Sequence, residues 1–237
     1  GPALSRMRRD QAEGLRRLLD PNALRVVAIR AGAGGGSATG TIINLAGALC
    51  ELGRDVLIID ENPAAQGVTA ALGINARFDL DDVVRRERDL EEVIVRGPAG
   101  LRILPLARGA GSLLQLSASE QLRLAEHCGR LGFPVDTLLV DAAPGSASAL
   151  LWSGSAAQEV IVLAGGGAAA VTAAYAQIKR QSSQFARREF RVLVSDLASE
   201  SEARAIFANM ARVARRYLQV SLDFMGHIPP DSKLQHA

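Results

Sequence analysis

The sequence has little cysteine and few aromatic residues. Of its 237 residues two are cysteines, and phenylalanine, tryptophan and tyrosine together make up 4%. Both cysteines, Cys50 and Cys128, lie in apolar patterns of helical spacing, which favours buried free thiols over a disulfide. The scarcity of aromatic side chains removes the stacking platforms that binders of single-stranded nucleic acid use.

The sequence also lacks long apolar runs and a strong charge of either sign. No apolar run reaches the roughly 20 residues that cross a bilayer, and no secretory signal is visible. The net charge of +2 argues against a dedicated nucleic-acid binder. Arginine pairs such as Arg187–Arg188 and Arg215–Arg216 are interpreted as solvated faces, and a patch at Arg212, Arg215 and Arg216 that contacts a partner or an anionic lipid is the less favoured alternative. We therefore predict a cytoplasmic protein that contacts neither nucleic acid nor membrane.

What the sequence does contain is an alternation of solid apolar runs with helical patterns. Short β-branched runs at 26–29, 56–59, 137–140 and 159–164 predict buried strands, and segments of helical periodicity separate them. Strands that are apolar on both faces are typical of parallel sheets covered on both sides. We predict an α/β domain with a doubly wound, mostly parallel sheet and helices on both faces.

A glycine-rich loop joins the first predicted strand to the first predicted helix. Its glycines allow the backbone to turn where side chains would clash. The backbone amides of such a loop, at the start of a helix, are suited to holding a phosphate group. The residues that we predict to line this site are Gly32, Gly34, Gly35, Gly36, Ser37 and Thr39.

This loop resembles the deviant Walker A loop of the MinD/ParA family, whose pattern is G-K-G-G-x-G-K-[ST]. Gly32, Gly34 and Gly35 fall on family glycines, and Thr39 falls on the hydroxyl that binds magnesium. The loop departs from the pattern where the family has its two lysines, because Ala33 and Ala38 stand there. Ser37 also replaces a glycine. Loss of both cations predicts loss of ATP hydrolysis, since a lysine on the transferred phosphate stabilises charge in the transition state.

The resemblance extends to the remaining parts of the site. Asp60 follows the second strand as in the family, but Asn62 replaces the aspartate that orients the attacking water. Asp141 and Gly145 match the Walker B and switch II region, and Asp231 matches the loop beside the base. The resemblance thus implies a vestigial magnesium position at Thr39, Asp60 and Asp141. No catalytic residue, metal or resident cofactor is expected, with weak binding of ATP or ADP and magnesium left as an alternative.

A short element precedes the first strand, and we predict that residues 1–22 form an activator helix and linker ahead of a domain at 23–237. The element Asp10-Gln-Ala-Glu-Gly-Leu-Arg16 resembles the N-terminal motif of the flagellar branch of the MinD family (FlhG, FleN, YlxH). In that branch the motif engages the SRP-type GTPase FlhF and stimulates GTP hydrolysis. The resemblance implies this partner, other flagellar basal-body or regulatory proteins as further partners, and recruitment to the cell pole or flagellar base. The predicted partner-binding residues are Asp10, Gln11, Ala12, Leu15 and Arg16.

Several other interpretations stay open. The glycine loop is also consistent with a tight turn that binds nothing, or with an active ATP-dependent switch of the same family. A MinD-like accessory protein of another machine, such as cellulose secretion or chromosome partition, is a further alternative. A Rossmann dinucleotide site would use Gly32, Gly34 and Asp60, but Ser37 occupies its third glycine position.

Overall fold

The computed structural model describes residues 25–31, 38–62, 66–106, 117, 119–120, 131–142, 157–195 and 199–228. The predicted partner-binding element, the loop at 32–37, Gly145 and Asp231 lie outside the described residues. The predictions for those positions therefore stay predictions, as does the division at residue 22.

The described residues form one eight-stranded sheet, in the order β3-β4-β2-β5-β1-β6-β7-β8. All neighbouring strands run parallel except β3 and β4. The strands are β1 Arg25–Ala31, β2 Val56–Asp60, β3 Val95–Arg96, β4 Arg102–Pro105, β5 Thr137–Asp141, β6 Ala157–Gly165, β7 Glu189–Ser195 and β8 Ser221–Ile228.

Helices cover both faces of this sheet. Among the described residues they are α1 Ala38–Glu51, α2 Val68–Ala71, α3 Leu80–Val84, α4 Leu90–Val93, α5 Ala168–Phe185 and α6 Glu200–Leu218, with a 3₁₀ turn at Pro98–Gly100. In the part of the chain that the structure describes, none of the helices combines the length and the apolarity that crossing a membrane requires.

Alternation along the strands divides the core into two apolar clusters. On one face, Val26 and Ala28 of β1 pack with apolar residues of α3, α4, α5 and α6. On the other, Val27 and Ile29 pack with α1 and α2. Successive side chains of a strand point to opposite faces, so each strand supplies both clusters. The predicted doubly wound sheet with helices on both faces is confirmed.

One stretch departs from the prediction. The sequence at 79–96 predicts two short helices, and α3 and α4 confirm them, but the second helix ends at Val93. Ile94 is already extended, and Val95 and Arg96 pair antiparallel with Ile103 and Arg102. Two residues are too few to show strand periodicity, so the pairing partner rather than the local sequence determines this strand.

Candidate nucleotide site

The carboxyl ends of three adjacent parallel strands meet where the sequence predicts the site. β2 ends at Asp60 and β5 at Asp141, and these two residues are register partners on neighbouring strands. β1, on the other side of β5, leads into the glycine loop. In open parallel sheets, ligands bind at this carboxyl edge.

Strand alternation places both aspartates on the same face of the sheet. Asp60 has the parity of Ile58, and Asp141 has the parity of Leu139, and both of these residues lie in the α1 cluster. Both carboxylates are 2% exposed. The first turn of α1 therefore faces two buried acids.

Thr39, the second residue of α1, reaches one of these acids directly. Its Oγ1 donates a hydrogen bond of 3.0 Å to Oδ2 of Asp141, and the pair is buried. The structure thus brings together the three residues that the resemblance assigns to the magnesium position. Oxygen atoms from a hydroxyl and two carboxylates fit Mg²⁺, which prefers hard oxygen ligands. When bound, such a cation would supply positive charge beside the paired carboxylates.

The Ala38 side chain, which stands where the family has a lysine, is part of the core. It is 6% exposed and packs in the same apolar cluster as Ile42 and Ala46 of α1. The alanine methyl group fills this position, so residue 38 contributes no cationic side chain to the site.

Asn62 hydrogen-bonds to Asp60 through both its backbone and its side chain. Its backbone N–H and its Nδ2 donate to Oδ1 of Asp60, at 3.1 and 3.2 Å. The backbone N–H of Thr69, at the start of α2, donates to Oδ2 at 3.4 Å. Both oxygens of Asp60 therefore accept hydrogen bonds from the segment that follows β2. This arrangement holds the loop start and α2 against the strand end.

Because Gly67 has no side chain, the start of α2 can approach the Asp60 carboxylate closely. A Cβ atom at this position would lie 2.7 Å from Cγ of Asp60 and closer still to the carboxylate oxygens. Real Cβ atoms do not make such contacts, so only glycine fits while Asp60 keeps its place. The sequence contains this glycine, but its role depends on a contact across seven residues that no local pattern indicates.

The two carboxylates have raised pKa values. Burial raises the pKa of Asp141 to about 6, and the charges of Asp60 and Glu61 act in the same direction, whereas hydrogen bonds from Asn62 and Thr39 oppose the shift. Burial also raises the pKa of Asp60, against the hydrogen bonds that it accepts from Asn62, Thr69 and Val68. Burial disfavours the charged form of a carboxylate, and an adjacent acid adds to this effect.

Sequence reasoning missed a second pair of charged residues near the same edge. Arg30 and Glu61 are 3% and 2% exposed. By strand parity they lie on the face of α5, opposite Thr39. Burial lowers the pKa of Arg30, and the charge of Glu61 opposes that shift. These positions are buried because a helix layer covers them. Their burial therefore depends on tertiary structure, and no local sequence pattern predicts it.

Within the described ranges, no group of three or more histidine, cysteine, aspartate or glutamate residues could hold a metal ion. Cys50 is a free thiol, but it is half-buried rather than buried as the sequence predicts, and Cys128 lies outside the described residues.

The fold and the site geometry define a MinD-like P-loop protein. The MinD cell division protein of Aquifex aeolicus superposes with a TM-score of 0.64, at 22% sequence identity, covering 89% of this chain and 84% of that one. Thr39, Asp60 and Asp141 lie together at the edge where such a fold binds its ligand. No protein-family model matches the chain.

Comparison with relatives shows to which family of MinD-like proteins the chain belongs. The chain is 33% identical over 214 residues to the antiactivator FleN of Pseudomonas aeruginosa, covering 90% of this chain and 76% of that protein. It is 25% identical over 213 residues to the flagellum site-determining protein YlxH of Helicobacter pylori, covering 89% of this chain and 71% of that protein. The chain belongs to the FleN/FlhG/YlxH family of MinD/ParA-type proteins.

Proposed function

We propose that this protein regulates the number or placement of flagella and that its P-loop domain does so without hydrolysing ATP. Its relatives include an antiactivator and a flagellum site-determining protein, and these support the flagellar role. The absence of ATP hydrolysis is inferred from two residues of the site. Ala38 is buried in the apolar core, and Asn62 hydrogen-bonds to Asp60. An amide there cannot accept a proton from water as a carboxylate can.

We further propose that the N-terminal element acts on an SRP-type GTPase of the FlhF kind. This step rests on the Asp10-Gln-Ala-Glu-Gly-Leu-Arg16 motif. A helix as short as this is marginal alone in water, so it gains its order from a partner. Leu15 supplies apolar burial and Arg16 a charge-assisted contact. Gln11 positions a water or a phosphate oxygen without adding charge, as an activator in trans requires.

A GTPase assay tests this proposal. A peptide spanning Leu4 to Leu19 should accelerate GTP hydrolysis by the cognate FlhF GTPase, and the chain without residues 1–20 should not. Gln11→Ala should weaken the acceleration strongly, whereas Ser5→Ala serves as a matched control that leaves it unchanged. Stimulation by the truncated chain that equals that of the full chain would refute the activator role while leaving the flagellar assignment intact.

An active ATP-dependent switch is the second candidate. The retained set of Thr39, Asp60 and Asp141 favours it, because these oxygens lie where a magnesium ion would be held. Isothermal titration with ATP and magnesium separates the two candidates. Tight binding that Thr39→Ala abolishes would favour the switch, and absence of heat would favour the proposal above.

A further inference from the structure

Arg30 and Glu61 are two charged residues that the fold buries at the carboxyl edge of the sheet, and we call them the buried charge pair. Their exposed fractions are 3% and 2%. Charged side chains are rarely buried to this extent unless an opposite charge compensates them. Neither residue belongs to the predicted magnesium position, so that position does not account for their burial.

The sheet register places the buried charge pair in one row. The residues that come directly before Arg30 and Glu61 in the chain both pair with Asp141, the last residue of β5. The backbone N–H of Glu61 also donates a hydrogen bond of 3.2 Å to the carbonyl oxygen of Asp141. Arg30, Ala142 and Glu61 therefore follow one another across the ends of β1, β5 and β2.

The side chains of this row lie on the α5 face of the sheet. Arg30 has the parity of Ala28, and Glu61 has the parity of Ile59, and both of these residues belong to the apolar cluster on that face. Ala142, which stands between the two charged residues, is a member of the same cluster. Neighbouring strands are about 4.8 Å apart, so the backbones of Arg30 and Glu61 are separated by about 10 Å. Two long side chains can shorten that gap across an alanine methyl group.

Opposite charge couples the two residues electrostatically. Burial lowers the pKa of Arg30, the charge of Glu61 raises it, and the charge of Arg180 on α5 lowers it. α5 contacts β1 and contains no acidic residue. This helix therefore adds like charge beside Arg30, and Glu61 supplies opposite charge from across the sheet.

Glu61 in turn lies close to other acids. Its charge raises the pKa of Asp141, as the charge of Asp60 does. Three carboxylates thus meet at this edge, two on the α1 face and Glu61 on the α5 face. Attraction to Arg30 favours this position of Glu61, because it keeps the third carboxylate on the face opposite the other two.

Glu61 is also the first residue of the segment that joins β2 to α2. Asn62 donates two hydrogen bonds to Asp60, and the backbone N–H of Thr69 donates a third. These contacts hold the segment on the α1 face, whereas Glu61 holds it on the α5 face. If the segment left the strand end, Arg30 would lose the charge of Glu61 while still buried, which is strongly unfavourable.

We propose that the buried charge pair fixes the start of the segment after β2 and thereby keeps Asp60 and Asn62 in their observed arrangement. Arg30 and Glu61 are then positioning residues, because they act on the predicted magnesium position through Asp60. The inference is independent of whether ATP is hydrolysed, since it concerns two side chains and the segment between β2 and α2.

A double-mutant cycle in the full chain tests the proposal, with Arg30→Met, Glu61→Gln and the variant that carries both changes. Each single change leaves one buried charge without its opposite, whereas the double change leaves neither. The measurement is hydrogen–deuterium exchange of the Asn62 and Thr69 amides relative to the Val192 amide in β7. Each single variant should speed this relative exchange about tenfold or more, and the double variant should exchange more slowly than either. A double variant that exchanges fastest of the three would indicate packing alone and would overturn the proposal.

The exposed ion pair of Arg191 and Glu159 provides the matched control. These are the same residue types on neighbouring strands, with Nη1 and Oε2 3.6 Å apart, but their side chains are 52% and 31% exposed. Arg191→Met, Glu159→Gln and their combination should leave exchange of the Asn62 and Thr69 amides within about twofold of the unchanged protein, because exposed ion pairs contribute little. An effect as large as that of the buried pair would show that any loss of charge loosens the segment, and the proposal would then be wrong.

The unchanged protein supplies a measurement that does not depend on whether a variant folds. The Glu61 amide should exchange within about tenfold of the Val140 amide in β5, because both should open only when the sheet opens. Faster exchange of the Glu61 amide would show that the segment opens by itself, which contradicts the proposal. Single variants that fail to fold beside a double variant that folds would support it, and the reverse would overturn it.

Discussion

At the scale of single residues, the site is held together by contacts to Asp60 and Asp141. Each carboxylate accepts hydrogen bonds from neighbouring segments: Asn62 and Thr69 in one case and Thr39 in the other. These bonds join the strand ends to α1 and α2. Changes at this edge should therefore alter stability even though we propose that the site no longer catalyses a reaction.

Gly67→Ala should destabilise the protein. The new Cβ would collide with the Asp60 carboxylate, so either α2 or the acid must move. We expect a loss of about 2 kcal/mol in the free energy of unfolding, as for other overpacked sites. Gly47→Ala in α1 is the control, because its Cβ would meet nothing within 4 Å, and alanine is the better helix former. Urea denaturation of both variants measures the difference in their free energies of unfolding. Equal stability of the two variants would show that the added Cβ at position 67 does not collide with Asp60.

Asp141→Asn should change how stability depends on pH. Burial raises the pKa of Asp141 in the folded state to about 6, above its ordinary value of 3.8, so the folded state binds the proton more tightly than the unfolded state. The stability that this proton contributes is present at low pH and is lost as pH rises from about 4 to about 6. Asparagine keeps an acceptor for Thr39 but carries no charge. The variant should thus gain about 3 kcal/mol over the unchanged protein at pH 8 and almost nothing at pH 4.

Denaturation of both proteins at the two pH values checks this expectation. Asp223→Asn, on the exposed side of β8, controls for the general effect of removing a carboxylate. A gain at pH 4 that equals the gain at pH 8 would show that the effect of the change is unrelated to titration of Asp141.

At the scale of elements, local patterns predicted most of the fold. β1, β2 and β5 are solid apolar runs. The sequence offers Asp79 or Asp81 as the cap of α3 and Asp89 as that of α4, and the structure has Asp79 and Asp89 at the two N-cap positions. The features that the sequence did not predict share one cause, which is their dependence on tertiary contacts. β3 exists because β4 pairs with it, and Arg30 and Glu61 are buried because a helix layer covers them.

The capping box of α3 gives a test at this scale. Asp79 accepts a hydrogen bond of 2.9 Å from the backbone of Asp81, and Asp82 accepts one from the backbone of Asp79. Asp79 is 4% exposed, so replacing it by alanine leaves a buried N–H without its acceptor. We expect Asp79→Ala to cost about 1–2 kcal/mol and Asp89→Ala, at the exposed cap of α4, about 0.5 kcal/mol. Thermal unfolding measures both, and the reverse order would show that burial does not set the cost.

At the scale of the whole molecule, the sequence predicted the family, whereas the magnesium position stays a prediction and the arrangement of the remaining site was not foreseen. Thr39, Asp60 and Asp141 meet as the resemblance implies. That Ala38 packs into the core and that Asn62 donates to Asp60 are contacts that a motif does not contain. Both contacts bear on whether the molecule turns over ATP.

We expect the purified protein to show no ATP turnover above background. Two lysines and one aspartate of the family pattern are replaced, by Ala33, Ala38 and Asn62. Removing one group that stabilises charge in a transition state costs about a hundredfold to a thousandfold in rate. Losses within one site do not simply add, but each of these replacements acts in the same direction. Phosphate release measured with ATP and magnesium checks the expectation.

The variant with Ala33→Lys, Ala38→Lys and Asn62→Asp distinguishes a degenerate site from a collapsed one. Thr39, Asp60 and Asp141 would provide oxygen ligands for magnesium in this variant, so we expect the added lysines to confer magnesium-dependent nucleotide binding, measured by isothermal titration. Adding Thr39→Ala to that variant should abolish the gain, since the hydroxyl ligand is then lost. If the unchanged protein hydrolyses ATP and Thr39→Ala abolishes that turnover, the pseudo-ATPase assignment is wrong. The protein would then be an ATP-dependent switch in which a positive charge other than the two family lysines stabilises the transition state.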